Sequence, residues 1–127
     1  MSANDSSATL ESYRWQKRLL IGAVSEPGVA ETLTAEMHKH LEALKERKCL
    51  VLIRAGEKWI TNESNDLRRY PPNLSEAVLK KIKDYPLALI GLDGGVKSRY
   101  HIKEFSWEQV FSEIDSMPMR QREMNGY

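Results

Sequence analysis

The run Arg18-Leu-Leu-Ile-Gly-Ala-Val24, closed by Ser25-Glu-Pro-Gly28, decides the fold. It is short, almost wholly apolar and ends in turn residues, the pattern of a strand covered on both faces. Downstream, Val29, Leu33, Met37, Leu41 and Leu44 recur at intervals of four and three, with Glu31, Glu36, Lys39 and Glu42 between them. That spacing predicts one amphipathic helix of about five turns. Glu46-Arg-Lys48 places basic residues at its carbonyl end, and Cys49-Leu-Val-Leu-Ile53 follows as a second buried strand. Strand, helix and strand with short joints imply a right-handed parallel unit.

Working outward, the pattern dissolves between Ala55 and Pro72 into Gly, Asn, Ser, Asp and Pro, which predicts a long connection. A shorter helix starts near Asn73 or Ser75 and places Leu74, Ala77, Val78 and Ile82 on one face, with Lys80, Lys81 and Lys83 outside. Pro86-Leu-Ala-Leu-Ile90 is a third apolar strand. Asp93-Gly-Gly95 supplies positive-φ residues for a tight hairpin into a fourth, Val96 to Lys103. Ser106 and Gln109 form a capping box and Phe105 and Val110 a hydrophobic staple. They open a last helix with Trp107, Val110, Phe111 and Ile114 facing inward and Pro118 limiting its continuation.

The element order β-α-β-α-β-β-α predicts an α/β domain with a central four-stranded mixed sheet and helices on both faces. Among small folds that order belongs above all to thioredoxin-like proteins. Residues 1–12 read as a mobile polar tail, 13–120 as the single domain and 121–127 as a C-terminal tail.

Composition narrows the function classes. A chain of 127 residues, 41% hydrophobic and 29% charged, suits one soluble globular domain, and no apolar run approaches the ~20 residues of a membrane span. Nineteen basic residues against eighteen acidic leave +1, so no global field draws the chain to nucleic acid or anionic lipid. The single cysteine, Cys49, excludes an internal disulfide and a dithiol cycle. Met1 to Ser12 have neither the basic start nor the apolar core of a signal peptide, and the compartment stays open.

In thioredoxins, Cys-Gly-Pro-Cys follows the first core strand at a helix start, where the macrodipole lowers the thiol pKa. Here Ser25-Glu26-Pro27-Gly28 stands in its place. Ser25 reads as an N-cap, with a small-anion site at the helix start as the functional alternative. Cys49 opens a buried strand, where a thiol is inert. Pro86 stands where thioredoxin-like proteins commonly hold a cis proline, and sequence leaves both isomers open. Lys97, Arg99, His101 and Lys103 alternate along the fourth strand and share one face. They predict a charge-protected edge strand, or alternatively a phosphate patch extended by Arg68, Arg69, Arg120 and Arg122. His38, His40 and His101 lack metal-ligand spacing and read as surface residues; neither metal nor cofactor is predicted.

Three segments carry a family resemblance: Leu10-Glu-Ser-Tyr-Arg-Trp-Gln-Lys-Arg-Leu-Leu20, Ala88-Leu-Ile-Gly-Leu-Asp-Gly-Gly-Val-Lys97 and Ile114-Asp-Ser-Met-Pro-Met-Arg-Gln-Arg-Glu-Met124. Together they resemble the bacterial family of domain of unknown function 4174, related to domains of vertebrate extracellular proteins of the sushi-repeat and coiled-coil-containing kind. The resemblance implies a thioredoxin-like fold without an established enzymatic activity, often exported. It sharpens two turns: Asp93 with Lys97 and Asp115 with Arg120, each read as a structural ion pair. A binding surface shared by the family would lie at these residues, Arg14 and the Met117-Pro-Met119 knuckle. The function expected is a non-catalytic module that meets a protein partner through Met117 to Arg120 or the basic strand. The alternatives are a redox accessory using Cys49 with an external thiol, and a small-anion binder at Ser25 or along Lys97 to Lys103.

Overall fold

The computed structural model describes residues 10–63, 80 and 86–125. Strand β1 (Arg18–Val24) sends Leu19 and Ile21 to one side of the sheet and Leu20 to the other, all buried. Strands β2 (Cys49–Ala55) and β4 (Leu87–Ile90) repeat this alternation: Val51, Ile53, Leu87 and Leu89 join Leu20, while Leu50, Leu52, Ala88 and Ile90 join Leu19 and Ile21. Burial on both faces is why these strands read as unbroken apolar runs. With β3 (Lys58–Ile60) and β5 (Val96–Tyr100) the sheet is five-stranded, in the order β3-β2-β1-β4-β5. β1 and β2 are parallel, and the other pairings are antiparallel.

The fifth strand corrects the four-stranded expectation. β3 lies inside the stretch read as a connection, and three residues are too few to show a period. The turn Gly56-Glu57 folds Lys58 back against Ala55, and pairing with β2 then makes the strand. Beyond Ile60 a side chain continues the ladder: Asn62 Oδ1 accepts from the Val51 N–H at 2.9 Å and Asn62 Nδ2 donates to the Cys49 carbonyl at 2.9 Å.

The single long helix is also corrected, to α1 (Pro27–His38) and α2 (Leu41–Glu46). The chain tightens at the joint, where the N–H groups of Lys39 and His40 reach back only three residues, to Glu36 and Met37. The break turns α2 so that Leu44 is fully buried and Leu41, assigned to the apolar stripe, is 39% exposed. His40 is no plain surface residue, since its ring stands edge-on to Phe111 at 5.3 Å. At the start of α1 the N-cap is Glu26 rather than Ser25, with no side-chain cap bond, and Pro27 supplies the preset φ of the first turn.

The next helix, α3 (Trp107–Asp115), starts where the capping signal places it, with the Gln109 N–H donating to Ser106 Oγ at 3.1 Å. Trp107, Val110 and Ile114 are buried and Phe111 half-buried. Pro118 begins a helix instead of only ending one: α4 (Pro118–Met124) has it in the first turn and runs through the expected tail at 121. Helices α1, α2 and α3 pack on the Leu20 side of the sheet; Tyr13, the last residue of a 3-10 turn at Leu10–Tyr13, packs on the Leu19 side. The predicted helix from Asn73 and the Tyr85–Pro86 bond fall outside the described residues. Among the described residues no helix is long and apolar enough to cross a membrane.

Candidate functional site

Three arginines and three carboxylates lock the C-terminal helices against the start of the sheet. Arg18, fully buried at the first position of β1, offers Nη1 and Nη2 to the two oxygens of Glu123 at 3.3 Å each, and Nη1 also donates to the Arg47 carbonyl at 2.8 Å. Arg47 forks onto Asp115 at 3.1 and 2.9 Å. Arg120, itself buried, donates to Asp115 at 2.9 Å and to Glu46 at 2.7 Å. Burial works against the Asp115 carboxylate, but the bonds from Arg47 and Arg120 outweigh it and hold its pKa below the usual value of 3.8. The predicted Asp115–Arg120 pair is thus the middle of a larger clamp, and Arg120 is occupied inside the protein.

The clamp fixes Met117, Pro118 and Met119 opposite the β4–β5 hairpin. Of Asp93-Gly-Gly95, from which positive-φ residues were expected, Gly94 alone takes a positive φ, +86°. Asp93 Oδ1 accepts from the Gly95 N–H at 2.9 Å, and its other oxygen meets Lys97 at 3.1 Å. The Gly95 N–H first and Lys97 second hold the Asp93 carboxyl below its usual range. A cavity of about 310 Å³ separates hairpin from knuckle, lined by Leu92, Asp93, Lys97, Met117 and Met119 over Arg18.

Beside the hairpin, the Trp15 N–H donates to the Leu92 carbonyl at 2.6 Å. Trp15 holds φ at +68° and is 58% exposed, with the Arg14 guanidinium 5.5 Å from its ring centre. Left-handed backbone costs a non-glycine residue about 1–2 kcal/mol, and a bulky residue is uncommon there. Met119, across the cavity, is 40% exposed. Tryptophan, arginine and methionine are residue types enriched at protein interfaces.

Of the residues singled out by sequence, Arg14, Asp93, Lys97, Met117 and Met119 come together here. Arg120 lies beneath them. Ser25 is exposed at the opposite end of β1, and Arg99 is exposed on β5. The four-residue basic face is corrected to two strand positions, Lys97 and Arg99: β5 ends at Tyr100, and a 3-10 turn over Ile102–Glu104 takes His101 and Lys103 off the strand. On its other face Ser98 and Tyr100 donate to the two oxygens of Glu113, the latter at 2.9 Å, and tie α3 to this edge. Sequence reasoning missed Trp15 and Arg18. A lone arginine opening an apolar strand was a signal for the second; nothing local marks a left-handed tryptophan.

Cys49 is 1% exposed, and burial, against weaker opposition from Arg18, pushes its thiol up to about 12. Among the described residues no group of three or more His, Cys, Asp or Glu could hold a metal ion.

No curated protein and no solved structure matches the chain. The clamp, the hairpin and the knuckle lie almost wholly within residues 9–123, the span matched by the family described as Domain of unknown function (DUF4174), and the chain belongs to that family.

Proposed function

We propose that the chain is a non-catalytic interaction module on a thioredoxin-like scaffold, which presents the surface of Arg14, Trp15, Lys97, Met117 and Met119 to a protein partner. The observation that carries this reading is Trp15, a large apolar ring left 58% exposed on left-handed backbone and hydrogen-bonded through its backbone N–H to Leu92 of the hairpin that faces the exposed Met119. The order β2-β1-β4-β5, with one parallel and two antiparallel pairings, supports the thioredoxin-like scaffold. Arg120 contributes by holding the knuckle, since its guanidinium is taken up by Asp115 and Glu46. Against the redox alternative stands the buried, high-pKa Cys49. Against the anion site at Ser25 stands a helix start without a side-chain cap and with Glu26 at its head.

The test is affinity capture from the source cells with wild-type protein and a Trp15→Ala/Met119→Ala variant of equal thermal stability. A partner held by the wild type, with purified affinity at least about tenfold weaker for the variant, supports the reading. Identical capture by the two baits overturns it.

A further inference from the structure

At the other end of the sheet, the first turns of α1 and the approach to α3 enclose a second groove, of about 550 Å³. Its floor is apolar: Leu33 and Trp107 are buried, and Val29, Ile102 and Phe105 are half-buried. Phe105 is fixed edge-on to Trp107 at 5.1 Å and to Tyr100 at 5.7 Å, so the aromatic wall is preformed. The rim carries Glu26 and Glu108, both exposed, and the half-buried Glu36, and no lysine or arginine lines the groove among the described residues.

Among the described residues, positive charge nearby is modest. Lys39 meets Glu36 at 3.1 Å in a solvent-exposed pair, and His40 Nε2 stands 3.9 Å from Glu108. The N-termini of α1 and α3 contribute about half a positive charge each. Three full carboxylates outweigh them, and the groove stays anionic around an apolar floor.

We propose that this groove docks a basic, apolar segment of a protein partner, which inserts an aliphatic or aromatic side chain between Val29, Ile102 and Phe105 and sets flanking lysines or arginines against Glu26, Glu36 and Glu108. The assignment follows from charge complementarity over a desolvated floor. It is independent of the Trp15 surface, which lies at the opposite end of β1.

The experiment titrates the full chain with a fluorescein-labelled amphipathic peptide of leucine and lysine, and with the same peptide carrying glutamate for lysine. The lysine peptide binds, the glutamate peptide does not, and Glu26→Gln/Glu36→Gln/Glu108→Gln weakens binding at least about tenfold, a loss of about 1.4 kcal/mol. Val29→Arg, which brings a cation and bulk to the groove, abolishes binding, while Trp15→Ala/Met119→Ala leaves it unchanged. Equal binding of both peptides, no binding of either, or binding indifferent to the glutamines overturns the proposal. So does a concentration-dependent dimer of the chain that the glutamine variant dissolves, because a second copy would then be the occupant.

Discussion

Arg18 and Glu123, 105 residues apart, meet as a two-pronged ion pair that joins the first residue of β1 to the last turn of α4. Arg18 is fully buried, and its Nε has no hydrogen-bond partner among the described residues. Removing Glu123 therefore leaves a buried cation with little beyond the Arg47 carbonyl. Glu123→Leu should cost about 3 kcal/mol, whereas Arg18→Met/Glu123→Leu, which removes both charges, should cost clearly less. Urea unfolding midpoints read both, and a double variant weaker than the single would contradict this account.

Asp115 sets an acid limb to the stability curve. Its pKa is held below 3.8 in the folded chain, so as pH falls through that value the unfolded chain takes up a proton that the folded chain refuses. Its contribution is complete above about pH 5 and drains away toward the lower folded pKa. Asp115→Asn should be less stable than wild type at pH 7 and show a flatter decline between pH 5 and 2.5. Parallel decline of the two proteins in urea titrations at each pH would rule the linkage out.

Asn62 stands in for a missing strand residue. Its amide satisfies the Val51 N–H and the Cys49 carbonyl, both on buried residues. Asn62→Ala should cost about 2–3 kcal/mol, the sum of two lost bonds with bare buried groups left behind. Hydrogen exchange at Val51 should accelerate beyond what the global loss accounts for; unchanged protection there would refute the assignment.

Cys49 should be silent in the native protein. With its pKa pushed up to about 12, the thiolate fraction at pH 8 is about one in ten thousand, and the side chain is 1% exposed. Alkylation by iodoacetamide should follow the urea unfolding curve. Rapid labelling without urea would show an accessible thiol and revive the redox alternative.

Trp15 trades stability for exposure. Trp15→Gly should leave the fold intact and raise stability by up to about 1 kcal/mol, because glycine takes φ +68° without strain. The same variant should lose partner capture. A destabilised Trp15→Gly would mean that the ring packs in the native state.

The sequence by itself determined what depends on neighbours in the chain. Both-face burial of Arg18–Val24, Cys49–Ile53 and Leu87–Ile90, the Ser106 cap and the ion pairs across two short turns were legible, because each rests on residues within about five positions. Only the tertiary structure decided the rest. β3 exists because β2 lends it partners, and three residues carry no period of their own. The long helix divides at Lys39 and His40 although the apolar stripe runs on, with the His40 ring edge-on to Phe111 of α3. Arg18 finds Glu123, and Trp15 is turned outward beside Leu92, through contacts between segments far apart in sequence. Local periodicity records which side of an element is dry; it does not record which distant group will arrive to complete a charge, a ladder or a surface.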